Sequence, residues 1–390
     1  MRQVVTFSIL ASLAAKALEP APKAVFEPLT IDSRITVGYG LAIADLDGDG
    51  KNDIFLADSD RTVCYQAPDW RKHIVTGKLT ERDHVCLCAK DIDGDGKADL
   101  AVGAEWNPGD TKNSGAVFHL ETQADCFAPR KAHALHREPT VHRMHWVMED
   151  EGRKHFLAVL PLHGPGNKAG KGEGINFLGY RPETEPGKDW QTFLIHKGFH
   201  LAHNFDPVSW GPTKNESILV ACFEGVHLLQ PSGKEWTATP MTEKGAGEVR
   251  LGKLPNGKRF IVSIEPMHGN EVVINPEPES GLWSQNRTVV DDTLNQGHAL
   301  VTGDFLGLGY DQVVAGWRSP SKGEKKVGLR LYIPNSKEGT MWKLHAVIDD
   351  NKMACEDLKA ADLDGDGDLD LVASGRSTKN VIIYWNKTAK

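Results

Sequence analysis

The chain has 390 residues, a net charge of −8, 40% hydrophobic and 25% charged residues, the composition of a folded chain with a sizeable core. Its acidic balance and the lack of a basic stripe leave nucleic acid out of the expected partners. With 39 Gly, 21 Pro and few stretches of helical period, an α-rich fold is also excluded.

At the N-terminus, MRQVVTFSILASLAAKA has one Arg, an apolar run at 4–15 and Ala15-Lys16-Ala17 as a small-x-small site. Residues 1–17 read as a signal peptide, which predicts export to a periplasm or the medium. The apolar run is short for a membrane span and no later run is longer, so no membrane span is expected. AVFEPLTIDS (24–33) alternates like a strand. IADLDGDGKNDIFLA (43–57) then sets Asp45, Asp47, Asp49 and Asp53 at positions 1, 3, 5 and 9 of a tight loop that runs into an apolar strand. AKDIDGDGKADLAVG (89–103) repeats the pattern with Asp91, Asp93, Asp95 and Asp99, and AADLDGDGDLDLVASG (360–375) with Asp362, Asp364, Asp366 and Asp370. Oxygen ligands at that density suit a hard cation, so structural Ca²⁺ is expected in these three loops. An EF-hand is excluded, because the bidentate Glu at position 12 is missing and the flanks are strand-like.

Between these loops lie weaker copies of the same unit. WVMEDEGRKHFLAVLP (146–161), WGPTKNESILVAC (210–222), LGKLPNGKRFIVSIEP (251–266) and VTGDFLGLGYDQVVAG (301–316) each pair a polar turn with an apolar strand. A repeat of roughly 50 residues is the period of propeller blades, and seven units fit. Segments opening on Trp at 69–77, 189–198, 235–245, 282–292 and 341–350 read as outer strands. The last unit lacks one, and 24–33 supplies it. The expected fold is all-β: residues 18–390 form a single seven-bladed propeller of four-stranded blades, closed by the N-terminal strand. The blades run roughly over 34–80, 81–138, 139–199, 200–245, 246–295, 296–352, and 353–390 with 24–33. The Gly/Lys-rich stretch at 163–174 reads as a long loop within the third blade.

The six cysteines contain no CxxC pair and read mostly as buried thiols. The 16 histidines carry a sharper pattern. Counting back about six residues from each loop reaches the head of the inner strand, on the face opposite the Asp loops. Those positions hold Tyr39, His142, His203, Glu248, His298 and Glu356, with His84 one residue off register. Loops after each second strand open on the same face and bring Glu105, Trp106, His163, Glu265, His268, Trp317, Arg318 and Arg376. Imidazoles, carboxylates, guanidiniums and indoles therefore converge on one funnel. Two or three His with a carboxylate suit Zn²⁺ or a similar divalent cation, and His142, His203, His298 and Glu356 are the candidate ligands. Aromatic rings suit the apolar face of a sugar, and Glu105, Trp106, Glu248, Trp317 and Arg376 are the candidate substrate contacts.

The xDxDGDGxxDL repeats resemble FG-GAP/VCBS propeller repeats, which specify a fold rather than a function. The stretches at 140–147, 160–170, 203–211, 264–275 and 297–318 resemble the propeller domain of the aldos-2-ulose (1,5-anhydro-D-fructose) dehydratases. That resemblance implies a sugar dehydratase acting on a keto-sugar such as 1,5-anhydrofructose or glucosone, by removal of an α-proton and expulsion of a β-hydroxyl. In such a scheme a funnel metal polarises the carbonyl, and His163 or His268 takes the proton. Tyr39 or a second His such as His84 protonates the leaving group, and Arg318 holds an oxygen. Rival readings are a polysaccharide or 3-keto-glycoside lyase at the same funnel and a Ca²⁺-stabilised adhesion propeller without turnover. No P-loop or GxSxG supports nucleotide or serine-nucleophile chemistry.

Overall fold

The computed structural model describes residues 18, 20–183, 185 and 187–389. The leader-like segment 1–17 lies outside them. Among the described residues the chain forms seven four-stranded antiparallel sheets, six of them made of strands consecutive in sequence. They run from Gly40 to Thr76, Cys86 to Ala134, Val141 to Lys197, Ala202 to Pro240, Glu248 to Asp291 and Gly297 to Asp350. The seventh combines Cys355–Ala361, Asp370–Gly375 and Asn380–Asn386 with the N-terminal strand Phe26–Asp32. Phe26 pairs with Asn386 and Thr30 with Ile382, so the first strand of the chain closes the last blade. This is a seven-bladed β-propeller, and no strand at the junction of the two chain ends is left unpaired.

The core lies between blades. Seven clusters of buried apolar side chains each occupy one blade–blade interface around the ring. Phe156, Phe177, Phe205 and Val220, for example, join the third blade to the fourth, and Leu41, Ile54, Val372 and Ile383 join the seventh to the first. Second strands are buried on both faces, as the fully buried Lys154–Pro161 interior shows, and so read as continuous apolar runs. Outer strands are half exposed. Most of the Trp-initiated segments are such strands, but Trp283 sits in a single 3-10 turn (Trp283–Asn286) and only Thr288–Asp291 pairs. The stretch 163–174 is a loop between the second and third strands of its blade. All six cysteines are free thiols, five of them buried.

Candidate functional site

The inner strands of the third, fourth, sixth and seventh blades share one irregularity at their heads. Val141 pairs with Pro161 and Arg143 with Leu160, so His142 has no partner. The same skip leaves His203, His298 and Glu356 unpaired between Ala202/Asn204, Gly297/Ala299 and Cys355/Asp357. These are β-bulges, which re-aim the extra residue out of the alternating pattern. Here they turn three imidazoles and a carboxylate inward to a cavity of about 250 Å³ on the axis. Tyr39, Trp106, Pro108, Leu162, His268, Arg318 and Arg376 complete its wall.

His268 arrives from the loop after Arg259–Glu265, with a left-handed backbone (φ 52°) that costs a non-glycine residue strain. Gly269 follows because a Cβ there would stand 2.1 Å from the Glu265 carbonyl oxygen. The turn carries His268 against His203, with their Nε2 atoms 2.9 Å apart. One ring nitrogen from each of His203, His268 and His298 falls within a sphere of contact of 4.8 Å. The Nδ1 of His203 lies 3.0 Å from the Gly247 carbonyl oxygen and that of His298 2.6 Å from the Glu356 carbonyl oxygen. Each Nδ1 must carry the proton it donates there, which leaves Nε2 as a bare lone pair. Glu248 stands 3.2 Å from the same His203 Nδ1 and accepts from Asn204 Nδ2 at 2.6 Å. Burial would raise its pKa, but His203 and the nearby arginines outweigh it and hold the carboxyl below its usual range. Burial, then Arg318, keeps His298 neutral, and burial, then His203, keeps His268 neutral. Three clustered imidazoles, two of them with Nδ1 held by a backbone carbonyl, fit the donor set of a zinc-type cation with one position left open.

His142 stands beside this trio but outside it. It stacks on Trp106 at 4.9 Å and meets the His203 ring edge-on at 4.7 Å. Both of its ring nitrogens are buried without a partner, and burial, then Arg143, holds its pKa far below the usual imidazole range. Opposite, the Tyr39 hydroxyl donates to Asp83 at 2.8 Å, and burial followed by Asp83 pushes its pKa well up. Glu356 accepts from Arg318 Nη1 at 3.0 Å and Arg376 Nη1 at 2.9 Å.

Several expected site residues lie elsewhere. His84 is fully buried and faces Thr62 and the Leu79 amide, because its blade's inner strand starts later, at Cys86, and has no bulge. Glu248 pairs regularly with Ile264, so it lies behind His203 and does not line the cavity. Trp317 is in the core, donating to the Lys326 carbonyl at 2.7 Å beneath Arg330. Glu105 faces Arg82, and His163 is tied through its backbone to Thr140 and does not line the cavity. The Glu356 carboxylate is taken up by two arginines and is not in the histidine trio, which His268 joins in its place. Asp83, Pro108, Leu162 and Gln296 were not anticipated; they are common residue types on irregular segments, and nothing in their spacing marks them.

On the opposite face, Asp45/Asp47/Asp53, Asp91/Asp93/Asp99 and Asp362/Asp364/Asp370 each gather carboxylate oxygens within 4.8 Å. Asp49, Asp95 and Asp366 at position 5 stay outside these groups. Asp53, Asp99 and Asp370 are pushed up to about 6 by burial, partly offset by backbone amides. The sixth blade builds a similar turn with Leu306 and Leu308 at positions 3 and 5. There Asp304 caps the Leu308 and Gly309 amides and Gln312 caps Leu306. The turn alone therefore does not require the extra carboxylates.

The model of the FG-GAP-like repeat matches residues 45–102, and that of the FG-GAP repeat matches residues 87–120. The chain thus carries FG-GAP repeats over its first two Asp loops, in a propeller whose remaining blades share the architecture. No curated protein matches it. Among solved structures, a chain of "Crystal Structure of Mitotic Checkpoint Complex" is similar with TM-score 0.55 and 12% identity, over 98% of each chain. BBS1N in complex with ARL6DN, soaked with mercury, is similar with TM-score 0.57 and 15% identity, over 93% of this chain and 97% of that one. The same complex soaked with lead gives 0.57 and 16%, over 94% and 99%. At such identities the likeness is one of fold. No helix among the described residues is long and apolar enough to cross a membrane.

Proposed function

We propose that this protein is an exported carbon–oxygen lyase that dehydrates a small keto-sugar by β-elimination in the funnel. In this reading His203, His268 and His298 hold a zinc-type divalent cation, and Ca²⁺ occupies the three Asp loops. The observation that carries it is the pairing of an oriented histidine trio with an unpartnered imidazole, His142, in one small cavity. An adhesion surface has no use for buried imidazoles with fixed tautomers. The resemblance of 140–147, 160–170, 203–211, 264–275 and 297–318 to aldos-2-ulose dehydratases supports the same chemistry. A cavity of about 250 Å³ suits a single sugar ring better than a polymer.

The cation, when bound, would supply Lewis-acid polarisation of the substrate carbonyl. His142, with both ring nitrogens unpartnered, takes the proton α to that carbonyl. The C–H electron pair becomes the new C=C bond, and the β-hydroxyl leaves as water with a proton from Tyr39, which burial and Asp83 keep protonated. Arg318 faces the enolate oxygen, and Trp106 offers a flat apolar surface to the ring. This reading exchanges two expected roles: His268 joins the ligand set and His142 becomes the base.

The test is elemental analysis of wild type and a His203→Ala/His298→Ala double variant, followed by a 1,5-anhydrofructose turnover assay. A transition metal near one per chain, lost in the variant while calcium stays, is the expected result. Calcium alone in both would overturn the metal-assisted reading.

A further inference from the structure

The charges lining the funnel do not cancel. Its wall has one carboxylate, Glu356, and two guanidiniums, Arg318 and Arg376, both of which bind that carboxylate. Arg318 spends Nη1 on Glu356 and Nη2 on Gln296 at 3.1 Å, while its Nε is buried with no partner. Arg376 gives Nη1 to Glu356, lies 5.3 Å over the Tyr39 ring and keeps 42% of its side chain exposed at the mouth. A buried N–H without an acceptor is costly, and a planar guanidinium edge is the group best matched to a carboxylate. Asp83, the next acid outward, is occupied by the Tyr39 hydroxyl. Glu105 and Asp110 lie within ion-pair distance of Arg82.

We infer that the sugar bound in this funnel carries a carboxylate, which sits between the unpartnered Nε–H of Arg318 and the exposed side of the Arg376 guanidinium. The inference rests on the carbohydrate reading above and narrows it to sugar acids and uronates. The residual positive charge would also draw such a substrate to the mouth, an effect that weakens with salt.

The experiment is calorimetric titration of the metal-loaded protein with D-glucuronate and D-galacturonate, each against its methyl ester, at low and high salt. Expected is binding of at least one acid tenfold or more tighter than its ester, with the difference shrinking in salt. In Arg376→Met the difference between acid and ester closes. Because Arg376 stands at the mouth, that variant keeps its blade core, which circular dichroism checks. Acid and ester binding equally would overturn the inference and leave the carbohydrate reading standing, with the arginines serving the enolate instead. Binding of neither acid nor ester, alongside binding of 1,5-anhydrofructose, would also overturn it. Binding of none of these sugars would remove the carbohydrate reading, and the inference with it.

Discussion

The Nε2 atoms of His203 and His268 are 2.9 Å apart, and His203 has committed its ring proton to the other side, at Gly247. Two imidazole lone pairs cannot face each other at that distance. Either His268 places a proton between them or a cation does. A metal at that point requires the His268 proton to leave Nε2 for Nδ1, so metal loading should switch the tautomer of His268, which nitrogen-resolved NMR of the ring would read.

Glu248 gives a way to perturb that point without touching a ligand. Its carboxylate lies 3.2 Å from His203 Nδ1 and sharpens the donor character of the far nitrogen. Glu248→Gln should keep the fold and the Asn204 contact and weaken funnel-metal affinity roughly 10–100-fold. Competition with a chromophoric chelator measures this. Unchanged affinity would mean that the carboxylate has no influence on the histidine trio.

His142→Gln separates base from ligand. With His142 outside the trio, the variant should retain the funnel metal in full and lose roughly 10²–10⁴ in kcat. Metal content and turnover on the same preparation decide it. Loss of the metal would make His142 a fourth ligand.

Asp364 belongs to the Asp362/Asp364/Asp370 group on the face away from the funnel. Asp364→Asn should lower Tm in the presence of Ca²⁺ by a few degrees (about 1–2 kcal/mol) and leave turnover per folded molecule unchanged. Lost turnover at unchanged Tm would contradict the division of labour between the two faces. The sixth blade, with Leu306 and Leu308 in the corresponding turn, should add no fourth calcium.

Asp32 ends the closing strand and accepts from Lys72 Nζ at 2.6 Å, Tyr65 Oη at 2.8 Å and the Arg34 amide at 2.8 Å. Burial alone would raise its pKa, but the Lys72, Arg34 and Tyr65 bonds outweigh it and hold it below 3.8. A depressed carboxylate contributes stability above its unfolded pKa and loses it as pH falls through the folded value. Asp32→Asn should therefore cost about 1 kcal/mol at pH 7, with wild type and variant converging in acid as pH falls through the lowered folded value. Denaturant melts at pH 7 and in acid measure the difference, and a gap that persists in acid would remove Asp32 from the seam.

The propeller was legible in the sequence because each blade carries its turn at a nearly constant period, and second strands buried on both faces stand out as apolar runs. Part of the funnel was legible for a related reason. His142, His203, His298 and Glu356 keep a constant distance from their turns, and each is the bulged residue of its strand. The count failed at Glu248, whose strand pairs without a bulge, and at His84, which precedes its strand. Bulges have no residue signature here, so the sequence could not separate the two cases. Trp317 and His163 failed differently. Trp317 is still a paired strand residue, opposite Gly297 and Gly328, and its side chain belongs to the core, while His163 lies past its strand, where no period says which way a side chain turns.

Ring closure has a consequence for how the molecule is made. The Val25 amide finds its acceptor on Thr388, 363 positions away. Closing a chain loop of that size costs roughly 5 kcal/mol of entropy before any contact at the seam forms. Six blades have both their edges and their turns within one local stretch, but the seventh needs both ends of the chain. Until the last strand exists, Asn380–Asn386 has no outer partner and Phe26–Asp32 has no sheet to join. Before these two strands meet the ring is thus an open arc with a sticky margin on each side, and its closure waits on Asn380–Asn386 rather than on Phe26–Asp32.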